Sequence, residues 1–401
     1  MRFAMAILPL AVAACLSSPA QAANQAGPLS NINISAILDG GYTLRDEAPE
    51  GIGGYPVGDH GSGLPEGFWL DHTELAMSSN VDDMFYGKLS LVVDADEHES
   101  ELEMEEAFIQ TLALPGGLSV RAGRFLANIG YLNSKHPHTD YFVDRPLTNQ
   151  AFLAGHYYDD GARLTWVAPT DLFVELGVEG FAGSNTPAAS GKSVGAVNAF
   201  LNLGGDINDE QSWQAGLSYL GADADPEHCS VHSHDHDEHE HEDEAGEEDH
   251  AHAFDSCDFK GDRDLLVLSG VWKWAPGGNY KYRSLTVQGE YFRLKEDGEI
   301  YHDDEDAFDP WSQTSTGGHL AVAYQFAPQW TAGVRASYVK PDDGYGDLTA
   351  TAYDAMIQYN HSHFSTVRLQ YTREKRAEGM QDDVVSVQYI MSLGDHGAHL
   401  F

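Results

Sequence analysis

Long apolar runs are missing from this chain of 401 residues. Beyond its N-terminus no stretch reaches the ~20 residues that a spanning helix needs, which excludes a helical membrane protein. Basic residues are scarce: 22 Lys and Arg face 63 Asp and Glu, for a formal charge of -41. Nucleic acid is excluded as a partner, because a phosphate backbone requires a basic surface. The three cysteines, Cys15, Cys229 and Cys257, are too few for a disulfide-rich scaffold or a four-Cys zinc site. Only 16 residues are Pro, while 42% are hydrophobic and 11% aromatic, so disorder along the whole chain is also excluded.

The N-terminus is an export signal. Met1-Arg-Phe gives a basic start, Ala4–Leu16 an apolar stretch, and Ala20-Gln-Ala22 the small-x-small site of a signal peptidase. Residues 1–22 are thus expected to be removed and 23–401 to form the mature protein. Val12-Ala-Ala-Cys15 also resembles a lipoprotein cleavage box, so lipidation of Cys15 stays open. Export carries Cys229 and Cys257 into an oxidising compartment, where they can pair.

Most of the mature chain alternates with period 2. In Leu172-Phe-Val174-Glu-Leu176-Gly-Val178-Glu the even positions are apolar and Glu175, Gly177 and Glu179 lie opposite. Thr366-Val-Arg368-Leu-Gln370-Tyr-Thr372 repeats the pattern. Sixteen such segments are expected near 30–45, 67–79, 84–95, 101–113, 117–130, 160–168, 171–183, 195–205, 210–221, 263–275, 280–295, 315–326, 329–340, 346–360, 363–373 and 382–394. Every second connection is tight, and most of the others are long: 46–66, 131–159, 184–194, 222–262, 296–314 and 374–381. A soluble all-β protein has no reason to gather its long loops at one end. A transmembrane antiparallel β-barrel does, with short periplasmic turns and long extracellular loops. The expected fold class is therefore all-β, a barrel of about sixteen strands in the Gram-negative outer membrane, with outer-membrane lipid and the barrel-assembly machinery as partners.

Gly123-Arg-Phe-Leu-Ala-Asn-Ile-Gly130-Tyr-Leu-Asn133, followed by His136-Pro-His138-Thr-Asp140-Tyr-Phe142-Val-Asp144-Arg-Pro146-Leu147, resembles a poorly characterised family of Gram-negative outer-membrane porin-like proteins, distantly similar to phosphate-selective porins. The resemblance runs from about Gly67 to Gly183 and returns at Val384–Phe401. It implies a porin-like barrel, an association with zinc and His-rich insertions. Trimers are common among porins, so a homotrimer is an open expectation.

The strongest local signal is the stretch 222–262, expected as an extracellular loop, with sixteen acids against one Lys. It holds His228, His232, His234, His236, His239, His241, His250 and His252. Neutral imidazole suits Zn, Cu or Ni, and neighbouring carboxylates add oxygen ligands and concentrate cations. No fixed four-ligand spacing is present, so exchangeable sites for divalent metal ions are expected; zinc (Zn2+) over copper or nickel rests on the resemblance. A solvated acidic low-complexity loop is the competing reading. Cys229 and Cys257 bracket the segment, either as a disulfide or as further zinc ligands.

His136, His138, Asp140, Asp144 and His156 form a second candidate, a loop folded inward to constrict a channel, with His136, His138 and Asp140 as further metal ligands. The alternation turns Arg121, Arg163, Arg335 and Arg368 toward the lumen, as pore-lining charges or as partners of Glu103, Glu105, Glu175 and Glu179. Acidic stretches at Asp94–Glu106 and Glu296–Asp309 are expected as cation-attracting loops. No G-x-S-x-G, H-E-x-x-H or Walker motif is present, so no enzymatic chemistry is expected. The reading favoured by the sequence is a passive channel whose His-rich loop aids zinc uptake. The alternatives are a general or anion-selective porin with a metal-buffering loop, and a structural barrel that does not conduct. Thiol labelling of the exported chain without reductant tests the disulfide: neither Cys229 nor Cys257 should react, and two free thiols would exclude the bridge.

Overall fold

The computed structural model describes residues 32–46, 52, 63–95, 100–190, 192–225, 259–302, 307–341, 349–376 and 381–394. Sixteen strands follow one another: β1 Asn33–Leu44, β2 Gly67–Asn80, β3 Phe85–Ala95, β4 Ser100–Thr111, β5 Leu118–Leu126, β6 Tyr158–Val167, β7 Phe173–Phe181 and β8 Ala196–Asn208. They continue as β9 Gln211–Ala224, β10 Phe259–Trp274, β11 Ser284–His302, β12 Ala307–Ala327, β13 Trp330–Lys340, β14 Ala350–Ser362, β15 Ser365–Lys375 and β16 Gln381–Gly394. Each pairs antiparallel with its chain neighbours, and β1 pairs with β16 from Ser35↔Gly394 to Leu44↔Val385, closing the barrel. Closure removes every sheet edge, the condition for a β-structure to cross lipid.

The barrel is inverted relative to a soluble core. On β15 the buried residues are Arg368, Gln370, Thr372 and Glu374, whereas Val367, Leu369 and Tyr371 are at least 40% exposed. On β7 Glu179 is buried while Leu176 and Val178 face outward. Apolar outside and polar inside is the pattern a lipid-facing barrel requires.

Three sequence-based boundaries are corrected. β11 and β12 run as one long hairpin paired as far as His302↔Ala307, so most of 296–309 is strand rather than loop. Glu296 is buried beside Arg263 of β10, 3.0 Å away, which gives this acid an inward partner. Likewise Asp94 and Glu101 lie on the paired ends of β3 and β4 instead of in a loop. The strand expected to reach residue 130 ends at Leu126, because the chain there turns into the lumen.

The segment 127–157 fills part of the barrel. Its only α-helix among the described residues, α1 Leu147–Leu153, is buried along its whole length. Phe152 stacks on Phe292 of β11 at 5.6 Å between ring centroids, within a core that also takes in Phe125, Phe181, Val267 and Leu294. Gly317 of β12 makes room for this helix: a Cβ there would lie 2.8 Å from Phe152 Cε2 and 2.9 Å from Thr148 Cγ2. Overpacking such a contact costs about 1–3 kcal/mol. Gly317→Val should therefore lower the urea midpoint of the refolded barrel in detergent, whereas Gly270→Val, where the same atom meets nothing within 4 Å, should leave it nearly unchanged.

Candidate functional site

Irregular backbone inside a barrel has lost its ladder partners and must find others. Asn133 closes the neck of the segment: its Nδ2 donates to the carbonyls of Ala127 (2.8 Å) and Tyr157 (2.9 Å), and its Oδ1 accepts from the Tyr157 amide at 2.6 Å. Turns within the segment, such as the Lys135 amide to the Leu132 carbonyl and the Asp140 amide to the Pro137 carbonyl, satisfy some groups, and the barrel wall supplies others. Arg368 donates to the carbonyls of Phe142 (2.9 Å) and Asp140 (2.6 Å), and Gln370 Oε1 accepts from the Val143 amide at 2.8 Å. Arg335 binds the Asp144 carbonyl at 2.7 Å and bridges the carboxylates of Asp144 (2.8 Å) and Asp354 (2.7 Å). On the far wall Glu290 accepts from the Tyr131 amide and Ser218 from the Gly130 amide.

Where the segment meets β2 and β4, four histidines and three glutamates converge. Glu105 Oε1 lies 2.8 Å from His156 Nε2 and 3.1 Å from His72 Nε2. Glu105 Oε2 lies 2.8 Å from His136 Nδ1, whose Nε2 is 2.9 Å from Glu106 Oε2. Glu74 Oε2 stands 3.6 Å from both His136 Nδ1 and His138 Nδ1, while its Oε1 accepts from Ser90 Oγ at 2.7 Å. Lys88 pairs with Glu106 and lies 3.0 Å from His136 Nε2.

Two β-bulges produce this convergence. Ser90 pairs with Glu106 but Leu91 with Met104, so Glu105 is an extra residue in β4, and consecutive Glu105 and Glu106 both turn inward. In β2 the register slips by one residue against both neighbours, between Ile37/Gly40 of β1 and between Leu70 and Thr73 opposite β3. His72 occupies the slip with φ 48, a left-handed conformation that costs a non-glycine residue about 1–2 kcal/mol. Bulges of this kind re-aim side chains.

Burial alone would lower His136, but Glu105 and Glu106 outweigh it and raise the imidazole to about 10. Burial pushes His156 down, with the Glu105 contact opposing. Burial raises Asp140, against the pull of Arg145, whose Nε is 3.2 Å from Asp140 Oδ2.

Between the inward segment and the short-turn end lies a cavity of about 1220 Å³. Its described lining carries Lys88, Arg121, Lys135, Lys273, Lys281 and Arg368 against Glu74, Glu106 and Asp140. Burial, with Lys273 adding to it, brings Lys135 down to about 7.

The structure gathers His136, His138 and His156 in one cluster, while Asp140 and Asp144 turn to Arg145 and Arg335. Of the four arginines, Arg121 and Arg368 line the cavity, and Arg163 pairs with Glu179. His228, His232, His234, His236, His239, His241, His250, His252, Cys229 and Cys257 lie outside the described residues. Sequence reasoning missed His72, Glu74, Glu105 and Glu106 as members of the cluster. The available signal was a parity change: inward residues switch from odd to even between Trp69 and His72, and Glu105-Glu106 cannot both face inward on a regular strand.

No protein-family model matches the chain. A protein of Aquifex aeolicus described as uncharacterized is 26% identical over 400 residues, covering 92% of this chain and 80% of that one. The barrel is similar to the outer membrane channel DcaP of Acinetobacter baumannii, at 12% identity and TM-score 0.57 over 90% of this chain and 97% of the other. It is also similar to an anion-selective porin from Comamonas acidovorans, at 10% identity and TM-score 0.56 over 90% and 99% of the two chains. OmpT of Vibrio cholerae in its trimer form matches at 10% identity and TM-score 0.54, again over 90% and 99%. The fold is that of the closed sixteen-stranded barrels of Gram-negative outer membranes.

The raised His136 value has a stability consequence. A folded chain that holds its proton more tightly than the unfolded one gains stability below the ordinary value of 6.5 and loses it as pH climbs through about 10. The thermal midpoint of wild type minus that of His136→Asn should shrink across this window, and a difference flat with pH would contradict the charge assignment.

Proposed function

We propose that the chain is a non-enzymatic outer-membrane diffusion channel with a vestibule that favours small anions, assembled as a homotrimer. The observation that carries the selectivity is the charge of the lumen: six basic side chains, of which only Lys135 is brought down to about 7, face three carboxylates around the described cavity, in a chain of net charge -41. Fixed charge concentrated in a narrow, low-dielectric passage selects the opposite sign of ion. The likeness to an anion-selective porin and to a trimeric barrel supports the same reading at the level of fold.

The His-rich segment between β9 and β10 acts in this reading as a buffer for divalent metal at the extracellular mouth. It leaves the barrel at the same rim as the inward segment between β5 and β6, because odd-numbered connections of an up-and-down barrel share one end. The reading in which it hands Zn2+ through the pore rests on the eight histidines from His228 to His252. The cationic vestibule disfavours it.

Planar-bilayer recording of the refolded protein tests both. Under a KCl gradient the zero-current potential should have the sign of chloride preference, and Arg121→Gln should move it toward potassium. Micromolar Zn2+, added and then chelated, should leave selectivity unchanged in wild type and in a variant lacking residues 230–256. Absence of current would leave the structural barrel standing, and zinc current that depends on 230–256 would restore metal uptake.

A further inference from the structure

We propose that His72, Glu105 and His156 bind one divalent transition-metal ion, which clamps the inward segment to the barrel wall. The proposal goes beyond the channel reading and does not depend on whether the barrel conducts. One donor atom from each of the three residues lies within 4.8 Å of the other two, near the spread of ligands around a single ion. They come from three places in the chain: β2, β4 and the C-terminal foot of the inward segment, one residue before Tyr157 at its neck.

A second observation points to a ligand. Glu105 is 1% exposed and its two oxygens are divided: Oε2 pairs with His136 Nδ1 at 2.8 Å, while Oε1 faces the imidazole nitrogens of His72 at 3.1 Å and His156 at 2.8 Å. Two imidazole nitrogens and one carboxylate oxygen, all turned toward one another in a largely buried spot, are a donor set that a transition-metal cation takes. The backbone around the site is also irregular on both strands, with an extra residue in β4 at Glu105 and His72 at φ 48 in β2.

The donor chemistry defines the class of ion. Two imidazoles and one carboxylate suit zinc, cobalt or nickel, whereas calcium and magnesium demand shells built from oxygen. Three protein ligands leave an open position, for water or for the neighbouring His136. An ion there ties His156 to both strands, so a loaded barrel holds the foot of its inward segment at one more point than a stripped one.

The His-rich segment is a separate set of donors, and the test must tell the two apart. Full-length refolded protein is loaded with Co2+ and passed over a chelating resin, and retained metal is counted per chain. About one ion should remain on wild type and on a His232→Ala/His234→Ala/His236→Ala variant, with a visible spectrum of low-coordinate, histidine-ligated cobalt. His156→Ala should weaken retention by more than about tenfold. Because His72 sits inside a strand, its substitution can disturb folding, so His156→Ala and the wild-type spectrum carry the test. No retained ion, an octahedral aquo-like spectrum, or retention insensitive to His156→Ala would overturn the proposal. A barrel that fails to conduct would leave this result untouched.

Discussion

A stretch of about thirty residues without strand pairing lies inside the barrel, and what its own turns and helix leave unpaired in its backbone has to be hydrogen-bonded by side chains of the wall. The rest of the structure depends on that arrangement. Arg335, Arg368 and Gln370 serve it from one side and Ser218 and Glu290 from the other, while Asn133 imitates the missing ladder at its neck. Each of these groups is an inward-facing position that the lipid-crossing pattern already requires to be polar. The demand for polar residues inside and the demand for partners to a buried loop are met by the same side chains.

The charge of the chain is distributed unevenly by this architecture. Much of the acid lies in the segment 222–262, and many of the remaining carboxylates are neutralised where they stand, as Glu296 is by Arg263 and Asp354 by Arg335. The vestibule beneath the inward segment is left with more cations than carboxylates. Net charge describes how the molecule meets bulk solvent, whereas the lumen decides what traverses it.

The strand series was legible because a lipid-facing barrel writes its period-2 pattern without interruption along most strands. All sixteen segments correspond to strands, including β15, where Val367, Leu369 and Tyr371 alternate with Arg368 and Gln370. Boundaries failed where acids looked solvent-exposed but had inward partners, as at Glu296. The site was half legible. His136, His138 and His156 stood out in an aromatic, Pro-containing loop, but their partners His72, Glu74, Glu105 and Glu106 read as ordinary strand residues in a chain rich in acids. Pairing across strands is non-local, and only the register reveals that two slips bring them to one spot.

Those slips have a consequence for the strands that carry them. Because side chains alternate with period 2, one additional residue exchanges the two faces of everything beyond it. β4 is therefore written in two reading frames: beyond the slip its even positions, such as Glu106 and Phe108, face inward, while before it Leu102 and Met104, also even, face out. Removing Glu105 itself would restore a regular strand, with Met104 out and Glu106 in, whereas removing a residue to one side of it, such as Ala107, would absorb the bulge and set Glu106 against lipid. The length of β4 on each side of the bulge is in this sense held by parity, and there substitutions are open to it where insertions and deletions are not.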